Sequence, residues 1–166
     1  MAYEVKQCFD SVMISFNGFS ESSYNTIMNV SDVEKTKSFC NELKKLNVNM
    51  CLKFLCSPIV IQEISYFLKW AIDIEPASVV LQEAFLYEHD EKYSCKRIGS
   101  VFNQLDNSYW KDIYKRVAVQ ISNILKETKI DNYSGFLCAD EGLFRILPLP
   151  EEYRSLFDTS GIYNLK

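Results

Sequence analysis

The side chains that most often carry out catalysis are few in this chain and lie far apart in the sequence. A serine or cysteine nucleophile needs a general base, and the single histidine, His89, would have to supply it. His89 lies within the run 88–91, whose carboxylates favour the protonated imidazolium, and that form cannot accept a proton. The spacing therefore predicts a solvated loop histidine rather than a catalytic base.

Paired carboxylates could serve as general acid and base, and adjacent acidic residues occur at 90–91, 140–141 and 151–152. Neighbouring residues point in different directions in regular structure, so these pairs are interpreted as solvated turn residues. The sequence therefore identifies no catalytic residue.

The residue types that hold metals and phosphates are also poorly arranged. The six cysteines form no C-x-x-C pair, and none stands at zinc-ligand spacing with the histidine. Glycine-rich phosphate loops are missing from the sequence as well. We therefore expect no metal and no cofactor, and we interpret the cysteines as reduced core thiols of a cytoplasmic or nuclear protein.

The composition predicts one folded domain over residues 1–166. The chain is 48% hydrophobic and 24% charged, which supports a core without disulfides. The start of the sequence lacks the features of a signal peptide, and no run of about 18 apolar residues predicts a membrane-spanning helix. Its residue usage, rich in Asn, Ile and Lys, is typical of an AT-rich genome, such as that of a large DNA virus or of some protists and invertebrates.

Helical periodicity with capping signals dominates the chain. The run 48–56 fits a helix or a strand by periodicity alone, and Ser57-Pro58, a helix-start signal, favours the helix. The segment 58–72 is apolar almost all round, which predicts the most buried helix. The full set of predicted helices covers 3–16, 20–29, 31–46, 48–56, 58–72, about 76–87, 93–105 and 109–127.

These elements predict an all-α fold, a compact bundle of about six or seven helices packed around 58–72. The helical body would span about 3–127. Residues of about 129–166 would form an extended tail, because the prolines of Leu147-Pro-Leu-Pro150 cannot lie inside a helix.

The tail suggests a function, because it crowds apolar and aromatic side chains into a region with few helix signals. They either cover the bundle or remain available to a partner. The leading hypothesis is a non-enzymatic interaction module, an adaptor or regulator that binds a protein through a helix-lined groove or through this tail. The candidate anchors are Phe144, Leu147, Tyr153 and Phe157.

Two alternatives stay open. The 109–127 helix carries a basic face with Lys111, Lys115 and Arg116, which suits a nucleic-acid-binding factor. The net charge of −4 does not favour that activity. The other alternative is an enzyme whose site is assembled only by the fold. Homo-oligomerisation also stays open.

Overall fold

A parallel β-sheet forms the centre of the molecule. The computed structural model describes residues 1–28, 32–89, 95–104, 108–128 and 135–159; for 86–89, 95–98, 103–104 and 136 it describes the backbone alone. The strands are β1 (Ser11–Phe16), β2 (Asn49–Cys56), β3 (Ser78–Glu83), β4 (Phe85–His89), β5 (Cys95–Ser100), β6 (Phe136–Ala139) and β7 (Phe157–Asp158).

Five of these strands form one sheet in the order β1-β2-β3-β6-β7, and all four pairings are parallel. β4 and β5 form a separate antiparallel hairpin that follows β3 directly. Each crossover in the main sheet therefore joins strands that are neighbours in space.

Seven α-helices accompany the sheet within the described residues. They are α1 (Ala2–Cys8), α2 (Glu21–Met28), α3 (Val33–Lys45), α4 (Ile64–Ile74), α5 (Ser108–Glu127), α6 (Glu141–Ile146) and α7 (Glu151–Arg154). Short 3₁₀ turns precede α4 at Ile61–Glu63 and α5 at Val101–Gln104.

The main core lies between one face of the sheet and the longer helices. Parallel crossovers are right-handed, so successive steps in one direction across a sheet place their helices on the same face. Burial agrees, because alternate residues of β2 join the core cluster with residues of α3, α4 and α5. Those β2 residues are Met50, Leu52, Phe54 and Cys56.

The predicted all-α bundle is wrong, and β2 shows why. Strands of a parallel sheet are often apolar on both faces, so their sequence is a nearly continuous hydrophobic run. The segment 48–56 is such a run, and its period-2 burial was hidden among other apolar side chains. Ser57-Pro58 predicts a helix start, but residues 58–60 form a turn.

Three other predicted helices are also contradicted. The segment 3–16 holds α1 and then β1, in which Val12, Ile14 and Phe16 face the core at strand spacing. The segment 76–87 forms β3 and most of β4. The segment 93–105 contains β5 and a 3₁₀ turn, and its residues 93–94 and 105 lie outside the described ranges.

The helices with strong capping or one clear apolar stripe are confirmed. α5 buries one stripe from Ile113 to Leu125, and α3 begins after Asp32, whose side chain accepts a hydrogen bond from the Lys35 amide at 3.3 Å. α4 is the predicted buried helix in shorter form. It ends at Glu75, a left-handed C-cap with φ of 55°, followed by Pro76, which was expected to open a helix.

The C-terminal region is not a merely extended tail. It supplies β6, α6, α7 and β7, and Leu137 of β6 pairs with Phe157 of β7. The prolines at 148 and 150 do exclude helix between α6 and α7, as expected. Residues 160–166 lie outside the described ranges.

Candidate functional site

A pocket of about 420 Å³ lies where β3 and β6 end. The residues that follow parallel strands meet at one edge of the sheet, and open α/β proteins generally bind ligands at that carboxyl edge. The pocket is lined by Glu83, Phe85, Ser100, Asp140, Glu141, Gly142, Arg145 and Ile146. They come from the ends of β3 and β6, from the hairpin and from α6.

Glu83 is the most unusual of these residues because it is charged and only 5% exposed. It is the last residue of β3, on the core face, and it pairs in register with Cys56 of β2. Its carboxylate lies against the backbone of α6 at Gly142, where an added Cβ would overlap the Glu83 Oε2 atom. A glycine at this position therefore makes room for the carboxylate.

The second acidic residue, Asp140, is already bonded to the sheet. Its Oδ2 accepts a hydrogen bond from the Glu83 amide at 2.7 Å, and its own amide donates to the Leu81 carbonyl at 3.0 Å. Asp140 thereby joins the end of β6 to the end of β3. Burial, followed by the charges of Asp140 and Glu83, raises the pKa of the Cys56 thiol well above its usual value.

The carboxylate of Glu83 differs from Asp140 in having no partner. It accepts no hydrogen bond and makes no ion pair with any residue that the structure describes. This carboxylate lines the pocket, so its negative charge is available to a cation that enters there.

The remaining walls provide an apolar surface and a mixed charged rim. Phe85 and Ile146 contribute the apolar part. On α6, Arg145 lies 3.7 Å from Glu141, and both side chains are more than 70% exposed. This exposed ion pair stands at the rim, and Arg145 makes no ion pair with Glu83.

The other end of the same sheet edge is built differently. Glu63, after β2, accepts hydrogen bonds from the Phe19 amide at 2.6 Å, the Ser20 amide at 3.2 Å, and the hydroxyls of Ser20 at 2.6 Å and Ser23 at 2.7 Å. Burial alone would raise the pKa of Glu63, but these hydrogen bonds lower it overall. Glu63 thus fixes the loop between β1 and α2.

The predicted partner anchors in the tail are mostly part of the core. Phe144, Leu147 and Phe157 are buried, and Tyr153 is half-buried against the same cluster. The Phe144 and Phe157 rings contact each other edge-on, with centroids 5.7 Å apart. The structure does not bring these four side chains together as an exposed surface.

The predicted basic residues of α5 do lie on the surface. Lys111, Lys115 and Arg116 are exposed, and Lys115 borders a shallow groove of about 380 Å³ between α5 and the segment Pro148–Pro150. The groove is mainly apolar. In its character, this groove beside α5 corresponds to the helix-lined groove that the sequence suggested.

Sequence reasoning missed Glu83 and dismissed Asp140 as a solvated turn residue. Both residues stand at the end of an apolar run, in Val79-Val-Leu-Gln-Glu83 and Phe136-Leu-Cys-Ala-Asp140. An acidic residue directly after a buried strand is the signal that could have identified them. It becomes readable only once the runs are recognised as strands.

The other chemistry-bearing residues assemble no second centre among the described residues. Within these ranges, no group of three His, Cys, Asp or Glu side chains is placed to hold a metal ion. Five cysteines are described, and all five are free; burial raises the pKa of Cys40 to about 12. The side chain of His89 lies outside the described part. No described helix is both long and apolar enough to cross a bilayer.

Fold and pocket together define an α/β protein with an acidic pocket at the carboxyl edge of a parallel sheet. Comparison of the chain with protein-family models, with curated proteins and with solved structures finds no match. The function is therefore inferred from the geometry of the site.

Proposed function

We propose that this protein binds a small organic cation, with an amine or guanidinium group, in the pocket at the ends of β3 and β6. The carboxylate of Glu83 carries this proposal, because it lines the pocket and has no partner in the part of the chain that the structure describes. A cationic group beside Glu83 would form a charge-assisted hydrogen bond with its carboxylate.

The other walls suit the body of such a ligand. About 420 Å³ is within the range of small-molecule pockets, near its lower end. Phe85 and Ile146 offer apolar contact for a short carbon chain, and the Ser100 hydroxyl adds a polar group. Asp140 is held by the β3 backbone and contributes negative potential from a fixed position.

An organic cation fits these residues better than a metal ion. A tightly held metal takes several ligands from the protein, and the described residues offer no group of three. An amine needs only one or two acceptors and tolerates apolar neighbours.

The test uses four probes of the same length. These are n-butylamine, n-butylguanidine, n-butanol and butyrate, titrated into ¹⁵N-labelled protein and followed by NMR. We expect both cations to shift the amide signals of Phe85, Asp140 and Gly142, and we expect butanol and butyrate to leave them unchanged. Equal binding of butanol would contradict the proposal, because the apolar wall alone would then account for it.

A pair of variants locates the charge. Glu83→Gln keeps the shape of the side chain and removes its charge, so the affinity for n-butylamine should fall at least tenfold. Glu42→Gln makes the same change at an exposed position on α3 and should have no effect. Unchanged affinity in the Glu83→Gln protein would refute this site.

A second candidate function is protein binding through the groove beside α5. Val119 is 59% exposed there, and Ala118, Pro148 and Pro150 extend the apolar lining. Lys115 at the rim favours an extended partner segment with an acidic side chain, which makes an adaptor role the runner-up. A Lys115→Glu protein that captures an acidic partner peptide as well as the wild type would exclude this role.

A further inference from the structure

The two edges of the main sheet differ in how well they are protected. β7 is two residues long and includes Asp158, and short, charged edges resist pairing with another chain. β1 is six residues long, and its sequence, Ser-Val-Met-Ile-Ser-Phe, contains no charge and no proline. No strand that the structure describes pairs with its outer side.

The core layer is also incomplete at β1. Val12 and Ile14 face the helices but are only half-buried, whereas Met50 and Leu52, their register partners on β2, are buried. The helices therefore cover the second strand fully and the edge strand only in part. Apolar side chains on the core face of an edge strand would gain cover if the sheet continued past them.

Exposed apolar side chains concentrate in the first 28 residues of the chain, which include β1. Nine large hydrophobic residues are exposed within the described ranges, and five of them belong to the first 28 residues. Between 42% and 79% of each remains accessible, on α1, β1, α2 and their connections. The five are Met1, Tyr3, Phe9, Met13 and Met28.

From these observations we infer that β1 pairs antiparallel with β1 of a second copy of this protein, about a two-fold axis at Met13. The result is a symmetric dimer with a continuous ten-stranded sheet. This inference is independent of the pocket beside Glu83.

The residue pattern of β1 favours a second copy of this chain as the partner that pairs with its outer side. Directly opposite residues in an antiparallel pair lie on the same face, so the register must match residues of equal parity. With Met13 opposite Met13, Val12 meets Ile14 and Ser11 meets Ser15. β-branched residues then pair on the core side of both copies, serines pair on the other side, and no like charges meet.

The contact needs more than the strand backbone, because a typical stable interface buries about 800 Å² per partner. The paired backbone of β1 and the newly covered parts of Val12 and Ile14 would supply part of this area. The exposed Met13 on β1 and Phe9 shortly before it in the chain would add to it.

Sedimentation velocity of the full chain tests this inference. We expect a monomer–dimer equilibrium that moves toward the dimer as the concentration rises to about 300 µM. Met13→Lys should remain monomeric, because it places two like charges directly opposite each other. Val119→Lys introduces the same charge at an exposed apolar site on α5 and should dimerise like the wild type.

Charge complementation tests the register. Met13→Glu alone should also be monomeric, but an equimolar mixture with Met13→Lys should form heterodimers, because residue 13 of each copy faces residue 13 of the other. Each variant should fold, because Met13 is half-exposed and outside the main core. Circular dichroism checks this. A wild type that stays monomeric throughout, or variants that fail to complement, would overturn the inference.

Discussion

Glu63 and Glu83 occupy the same carboxyl edge of one sheet, yet their surroundings differ. Glu63, after β2, is half-buried and accepts hydrogen bonds from Phe19, Ser20 and Ser23. Glu83, at the end of β3, is buried and has no partner among the described residues.

The difference separates a structural carboxylate from one that is available for binding. The donors around Glu63 are internal, so its charge stabilises the fold and no ligand is needed. The carboxylate of Glu83 has no partner among the described residues and lines the pocket, so it is available to a cation. The number of internal partners, rather than the residue type or the place in the fold, distinguishes the two roles.

The largest expected effect concerns the aromatic cluster under the Glu63 end. Phe67 of α4 is fully buried, and its ring lies 4.9 Å from that of Phe54 and 5.8 Å from that of Phe19. Phe67→Ala should lower the free energy of unfolding by about 3–5 kcal/mol, because it removes buried apolar surface and leaves a cavity.

Urea denaturation measures this loss, with Tyr66→Ala as the control. Tyr66 is the neighbouring residue and is 65% exposed, so its replacement should change stability by no more than about 0.5 kcal/mol. Similar urea midpoints for the two variants would show that the aromatic cluster does not stabilise the part of the sheet near Glu63.

The next prediction compares the two carboxylates directly. Glu63→Gln should cost about 2 kcal/mol, because an amide cannot replace a carboxylate that accepts from four donors. Glu83→Gln should leave stability unchanged or raise it, because it removes an unpaired buried charge. Equal destabilisation of both proteins in urea would erase the distinction between the two sites.

Acid titration sharpens the same comparison. The pKa of Glu63 is lowered in the folded state, so its stabilising contribution is present above its unfolded pKa of about 4.3 and is lost as the pH falls through the folded value. We expect the stability difference between wild type and Glu63→Gln to be constant above about pH 5.5 and to shrink toward pH 3. A difference that does not change with pH would show that shape, not charge, explains the effect.

The sequence predicted the helices of this fold better than its sheet. α3 and α5 carry one apolar stripe each, and such a stripe has a single interpretation. β2 and β3 carry some apolar residues on both faces, so periodicity could not separate them from buried helices. In β1, the strand pattern of Val12, Ile14 and Phe16 overlapped with a helical pattern that continued from α1.

The sequence analysis did not find the candidate site for the same reason, because it did not recognise these runs as strands. Glu83 and Asp140 meet only because β3 and β6 are adjacent parallel strands, although 57 positions separate them in the chain. The predicted anchors Phe144, Leu147 and Phe157 are buried, and the sequence did not show this for a related reason. The sequence pattern predicts no regular structure for the C-terminal region, so its apolar residues have no predicted core to join. In the structure, β6, α6 and β7 bury them.

The smallest effect on stability, and the most specific effect on the site, is expected at Gly142. A Cβ at this position would overlap the Oε2 of Glu83, so Gly142→Ala must push the carboxylate away from α6. Glu83 can move because the obstructing atom is the end of a flexible side chain, and alanine favours helix by up to about 1 kcal/mol over glycine. The melting temperature should therefore change little, while the affinity for n-butylamine should fall severalfold as the carboxylate leaves its position.

Ile146→Ala, on the same face of α6, is the matched control. It removes apolar contact without moving the charge, so it should weaken the binding of n-butylamine and n-butylguanidine alike. Full affinity in the Gly142→Ala protein would mean that the position of Glu83 against α6 does not define the cation site.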